Sequence, residues 1–142
     1  MDPFDYCFIN GFEAQFKTIR QCIDHMKTMH DRVLVKIEML YWVPDVIFPD
    51  DTNEQMRYSD AVKIMITDGR NKINAWTLHF ESHKEFFGAT IYAKRVRETI
   101  KDFEKSAAAV LNVTAKFEML NESKREFMVQ QAQQAEENFP EN

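Results

Sequence analysis

The chain has 142 residues, enough for one domain with a real core, and 44% apolar with 29% charged residues is the composition of a folded globular protein. A formal net charge of −5 argues against a generic nucleic-acid binder, which needs a basic surface. No run approaches the ~18 apolar residues of a membrane span, the start Met1-Asp2-Pro3-Phe4 lacks the layout of a signal peptide, and two cysteines, Cys7 and Cys22, make no disulfide framework, so a reducing, cytoplasmic setting is expected.

Twelve Phe and eight Met stand against three Gly and four Pro, which implies a few long elements with few tight turns. Residues 11–29 read as an amphipathic helix. Phe12, Phe16, Ile19, Ile23 and Met26 fall at steps of three and four on one face, with Lys17, Arg20, Asp24 and Lys27 on the other. Residues 32–43 read as a strand, because Val33, Val35, Ile37, Met39 and Tyr41 alternate with their neighbours. Its second half is apolar on both faces, so one end should be covered from both sides. Residues 44–59, with Pro44, Pro49 and the carboxylates Asp45, Asp50, Asp51 and Glu54, read as a long exposed loop. Val46, Ile47 and Phe48 inside it should tuck back or contact a partner.

Residues 60–67 and 72–81 read as a β-hairpin. Val62, Ile64 and Ile66 alternate in one strand and Trp76, Leu78 and Phe80 in the other, with Asp68-Gly69 supplying the turn. These residues, with Phe16, Ile19 and Ile23, are the expected core. From Gly88 to Pro140 there is no Gly or Pro. Ala89, Tyr92, Val96, Ile100, Phe103, Ala107, Val110, Val113, Phe117 and Leu120 form a helical stripe with a near-heptad rhythm. Ser82 with Glu85 has capping-box spacing for its start, and Ser123 with Glu126 could open a separate last helix. Residues 113–119 also alternate like a strand, but Ala, Lys, Glu, Met and Leu favour helix.

The expected fold is therefore α+β: an N-terminal helix, a three-stranded antiparallel sheet with its hairpin at 60–81, and a long C-terminal helix or helix pair. Residues 1–120 would be the single domain and 121–142 a C-terminal helical arm with a short acidic tail.

Sharp chemistry is scarce. Cys22 and His25 share a helix face, with His30 or Cys7 as a third candidate, but paired zinc-ligand spacing is absent and no metal site is expected. The acidic loop lacks the calcium-loop pattern. No nucleophile elbow, Gly-rich phosphate loop or dinucleotide fingerprint occurs, so no cofactor is expected. His79, with Glu81 and His83, is the one cluster that a small scattered catalytic site could use. Asn112-Val113-Thr114 and Asn121-Glu122-Ser123 match the glycosylation pattern, which carries no weight without secretion. Lys94, Arg95, Arg97, Lys101 and Lys105 form a basic stripe that could contact nucleic acid or an acidic partner; between 94 and 105 five basic residues face three acidic ones.

The stripe from Ala89 past Leu120 is longer than a three-stranded sheet can cover, and uncovered apolar surface needs a partner. The reading is a non-catalytic protein-interaction module: an adaptor, assembly factor or inhibitor, of a size that suits a virus-encoded regulator. It would form a homodimer through Val96, Phe103, Val110, Phe117 and Leu120. A nucleic-acid accessory factor using the basic stripe is the alternative, and an enzyme around His79 is the third.

Overall fold

The computed structural model describes residues 3–49 and 56–138. Among them there are three α-helices and no strand: α1 (Pro3–Trp42), α2 (Tyr58–Ser82) and α3 (Ala89–Asn138), with a short 3-10 turn at Lys84–Phe86 between α2 and α3. The α+β expectation is overturned, and with it the sheet and the hairpin. At ~1.5 Å per residue, helices of 40, 25 and 50 residues are about 60, 38 and 75 Å long.

The side chains that enter the core show why. The buried residues of α2 are Val62, Ile66, Gly69, Ile73, Trp76 and Phe80, which step by four and three alternately. The intervening Ile64 and Leu78, which alternation puts on the same face as their neighbours, are 58% and 66% exposed. In α1, Phe12, Ile19, Ile23, Met26, Val33, Ile37 and Leu40 keep one helical phase straight through the expected helix–strand boundary near residue 31. Val33 and Ile37 face inward in both readings, but Leu40 is buried in place of Val35 and Tyr41. α3 buries Val96, Phe103, Ala107, Val110, Val113 and Phe117 of the expected stripe, leaves Tyr92, Ile100 and Leu120 half-buried, and adds the polar Thr99, Ser106, Thr114 and Asn121 to the buried face. Residues 113–119 are helix, and neither Ser123 nor Glu126 starts a new one. Ser82 ends α2 instead of capping α3.

Cross-helix pairs set the topology. Glu13 meets Arg95, Arg20 meets Asp102, and the Leu40 carbonyl meets Lys124, so α1 and α3 run parallel. Phe12 packs on Trp76 and Lys36 bonds Tyr58, while Arg70 meets Glu104 and Ser59 meets Glu118, so α2 is antiparallel to both. The molecule is an up-down-up three-helix bundle.

At one end Phe12 is ringed by Trp76, Phe80, Phe87 and Tyr92, with centroids 4.8–6.0 Å away. The buried Trp76 indole N–H donates to the Phe12 carbonyl at 3.0 Å. Midway, Gly69 lies against Phe103: a Cβ there would stand 2.5 Å from the ring. Its role is close approach of α2 to α3, not a turn. A second cluster joins Val33, Ile37, Leu40, Val113 and Phe117, with Phe48, Tyr58 and Leu120 against it.

Polar groups of α3 finish the other two helices. The Glu118 carboxylate accepts from the Ser59 backbone N–H at 2.9 Å and its hydroxyl at 2.5 Å, a negative charge on the N-terminus of α2. The Lys124 ammonium donates to the Leu40 and Val43 carbonyls at 2.9 and 2.6 Å, a cation on the C-terminus of α1. Asn121 is buried and holds Phe48 at both backbone groups, accepting from its N–H and donating to its carbonyl at 2.8 Å each. The Arg125 guanidinium donates to the same carbonyl at 2.5 Å. The Asn121 side-chain amide is thus committed to the fold, whatever glycosylation pattern surrounds it. Within the 44–59 segment Phe48 tucks back and Val46 is half-buried; Ile47 stays exposed, Tyr58 already belongs to α2, and residues 50–55 lie outside the described residues.

Candidate interaction surface

The stripe expected to carry self-association points inward. Val96, Phe103, Val110 and Phe117 are buried against α1 and α2, and Leu120 is half-buried beside them. Among the described residues there is no sheet whose shortness could leave the stripe uncovered. Two other long helices, parallel to α3 and antiparallel to it, cover that stripe within the monomer. Beyond Arg125, α3 continues to Asn138 as an arm whose side chains are exposed apart from half-buried Met128.

The densest run of exposed apolar residues among those described lies on α1. Its C-terminal part buries Val33, Ile37 and Leu40 but also carries exposed Leu34, Val35, Met39, Tyr41 and Trp42, the last at 83%. A helix apolar around its circumference is one that is covered around its circumference. Here one side is covered. The sequence signal is the two-sided apolar run from 33 to 42, whose β-like alternation points to a strand where the structure has a helix.

Between α1 and α2 this surface deepens into a groove. Its wide half, about 530 Å³, is walled by Met29, Val33, Val35, Met39, Phe48 and Tyr58. Through His25 and Met29 it joins a second hollow of about 670 Å³, where Ile64 and Met65 of α2 face Cys22 of α1. Thr18 and Lys72 link that hollow to a smaller end at Ala14 and Ala75, about 220 Å³. The methionines give the floor an adaptable apolar lining. Of these groove residues only Cys22 and His25, as metal-ligand candidates, and Phe48, as a loop residue expected to tuck back or contact a partner, stood among the sequence candidates.

The groove is basic although the protein is acidic. In the wide half, Arg32 and Lys36 have no carboxylate partner among the described residues. The Lys36 ammonium donates to the Tyr58 hydroxyl at 2.6 Å and stands 4.5, 5.7 and 5.9 Å from the Tyr58, Phe48 and Phe117 ring centroids. This cation–π cage orders Lys36 at the lip of the groove while leaving its charge uncompensated. In the adjoining hollow Lys72 is paired with Asp68 at 2.8 Å on the surface of α2.

The other sequence candidates disperse. Of the basic stripe, Lys94 pairs with Glu98 at 3.9 Å and Arg95 with Glu13 of α1, whereas Arg97, Lys101 and Lys105 have no carboxylate partner among the described residues. Arg95 also lies over the Phe16 and Tyr92 rings. His79 bonds the Phe8 carbonyl at 2.9 Å through Nε2, which makes that nitrogen the donor, and its ring fills the space beside Gly11. His83 stacks on Phe8 with centroids 3.7 Å apart. Glu81 pairs with Lys84 rather than with either histidine. These imidazoles pack the N-terminal end of α1. No group of three His, Cys, Asp or Glu able to hold a metal occurs among the described residues, and Cys7 and Cys22 are free thiols.

Two resolved charge perturbations flank Phe103. Arg20, hydrogen-bonded at 2.5 Å, with Lys27 at 3.6 Å, lowers the Asp102 carboxyl below its ordinary value. Arg70, bonded at 2.7 Å, lowers Glu104 likewise. One pair ties α3 to α1 and the other ties it to α2, and both groups are structural by position.

No family model, curated protein or solved structure matches this chain. No helix among the described residues is long and apolar enough to cross a membrane.

Proposed function

We propose that the chain is a non-catalytic protein-interaction module that uses the α1–α2 groove and the apolar C-terminal part of α1 as its docking surface. The observation that carries this is the exposure of Val35, Met39 and Trp42 along one flank of α1, beside the groove and next to its buried side. Contiguous apolar surface rimmed by polar groups is the physical mark of a binding site. A groove between two helices, about 20 Å along its wide half, is the shape that receives a third amphipathic helix. The inward packing of Val96, Phe103, Val110 and Phe117 moves the contact from α3 to α1 and α2.

A photo-crosslinking residue placed at Val35 or Ile64 in the native cell tests this reading. Both positions line the groove and are more than half exposed. Specific protein adducts should form from both, and not from exposed Thr67, which does not line the groove. Equal labelling from all three positions would refute the surface.

A further inference from the structure

We infer that the groove receives a second copy of this chain, through the α3 arm beyond the bundle, exchanged reciprocally in a two-fold dimer. This rests on the groove being the docking surface proposed above. Three observations select that occupant. The first is position. Lys124 is level with Leu40, so the arm leaves the bundle at the same end at which the wide half of the groove opens. Two bundles meeting end to end about a two-fold axis perpendicular to the helices send each arm alongside the other's α1, antiparallel to it. The exposed Tyr41 and Trp42 are then covered where the ends meet.

The second is size. The arm from 126 to 138 is about 18 Å long and the wide half of the groove, from His25 to Met39, about 21 Å. A helix ~10 Å across that buries half its circumference over this length, counted for both partners and both arms, removes about 1,100 Å² from water. That reaches the ~1,000 Å² a specific interface requires, before the abutting ends are added.

The third is charge and chemistry. Residues 126–138 contain Glu126, Glu136 and Glu137 and no basic residue. The wide half of the groove offers Arg32 and Lys36 without carboxylate partners. The two helices rise equally per residue, so an arm whose residue 126 meets the end of α1 brings Glu136 and Glu137 within a turn of Arg32. Near its root, exposed Phe127 comes within a turn of Met39, and the groove lining continues through Val35 along the rest of the arm.

Analytical ultracentrifugation of the full chain, from low micromolar to several hundred micromolar, tests the inference. A monomer–dimer equilibrium is expected. Val35→Glu and Phe127→Glu should each weaken it about tenfold or more by forcing an unpaired charge into the contact. Both side chains are more than half exposed in the monomer, so helicity and unfolding midpoint should hold. Mixed together, the two variants should associate better than either alone, because the mixed dimer keeps one intact arm–groove pair. Glu136→Lys with Glu137→Lys should weaken the dimer, and adding Arg32→Glu to the same chain should restore it. A monomer at all concentrations overturns the inference. So does a dimer broken by Phe127→Glu but untouched by Val35→Glu, which would place the contact between the arms. Neither result alters crosslinks from Val35 to a different protein, so failure here is separable from failure of the docking surface.

Discussion

Gly69→Ala is expected to destabilise the protein, although the same change at an exposed helical site stabilises by about 0.5–1 kcal/mol. The added Cβ would lie 2.5 and 2.6 Å from two carbons of the Phe103 ring, where ordinary contact is ~3.5–4.0 Å. Phe103 is fully buried between ion pairs that hold α3 to both neighbours, so the ring cannot swing into solvent. The helices must separate or the ring must leave its rotamer. Such overpacking costs ~1–3 kcal/mol, against which the helix propensity gain offsets less than one, leaving a net loss of about 1–2 kcal/mol. Urea unfolding followed by helical circular dichroism measures it, with an unchanged denaturant slope as the sign that two-state behaviour persists. In a Phe103→Leu background the clash is relieved, and the same Gly69→Ala step should become neutral or stabilising. The resulting coupling of about 1 kcal/mol or more is the decisive quantity. A Gly69→Ala variant that is more stable than the wild type with Phe103 in place would refute the close α2–α3 approach.

Other consequences follow from the same packing. Trp76→Ala should cost about 3–5 kcal/mol, because it removes a fully buried ring that packs on Phe12 and Phe16 and the N–H that bonds the Phe12 carbonyl, whereas Leu78→Ala, two residues away on the exposed face, should stay within about 0.5 kcal/mol; thermal melts of the pair separate helix from hairpin directly. Lys124→Met should cost about 1–2 kcal/mol by removing the donor to the Leu40 and Val43 carbonyls, and amide exchange should show the loss concentrated at the C-terminus of α1. The lowered Asp102 and Glu104 carboxyls contribute stability that is fully present above their ordinary values of 3.8 and 4.5 and is lost as pH falls through the lowered folded values. Urea midpoints should therefore be flat near neutrality and fall below about pH 4.5, and Asp102→Asn should show a shallower fall than the wild type.

Residues 11–29 of α1 and the stripe of α3, though not the start of α3 or its unbroken run past Ser123, were legible from the sequence. Phe12, Ile19, Ile23 and Met26, and the stripe from Val96 to Phe117, repeat at three and four with no Gly or Pro to interrupt them, and that rhythm has no strand interpretation over such a length. What the rhythm left open was which surface of α3 stays free, because that depends on how many elements pack on it. With a short sheet assumed, the stripe looked unpartnered; with two long helices beside it, the stripe became the core and the free surface moved to α1. The errors at 32–43 and 60–81 have a single geometric origin. Residues i and i+4 share a face in a strand and in a helix alike, so Val33 with Ile37, and Val62 with Ile66, fit both periods. The periods separate only at intermediate positions: a strand buries Val35 and Ile64, and a helix buries Leu40 and Gly69. β-branched residues favoured the first choice, and Asp68-Gly69 resembled a turn. Tertiary packing decided for the second, since Gly69 is small for the sake of Phe103, 34 residues away, a reason no local pattern can carry. The groove follows from the same decision, because only as a helix does the two-sided apolar run of residues 33–42 cover one face and leave Val35, Met39 and Trp42 in water.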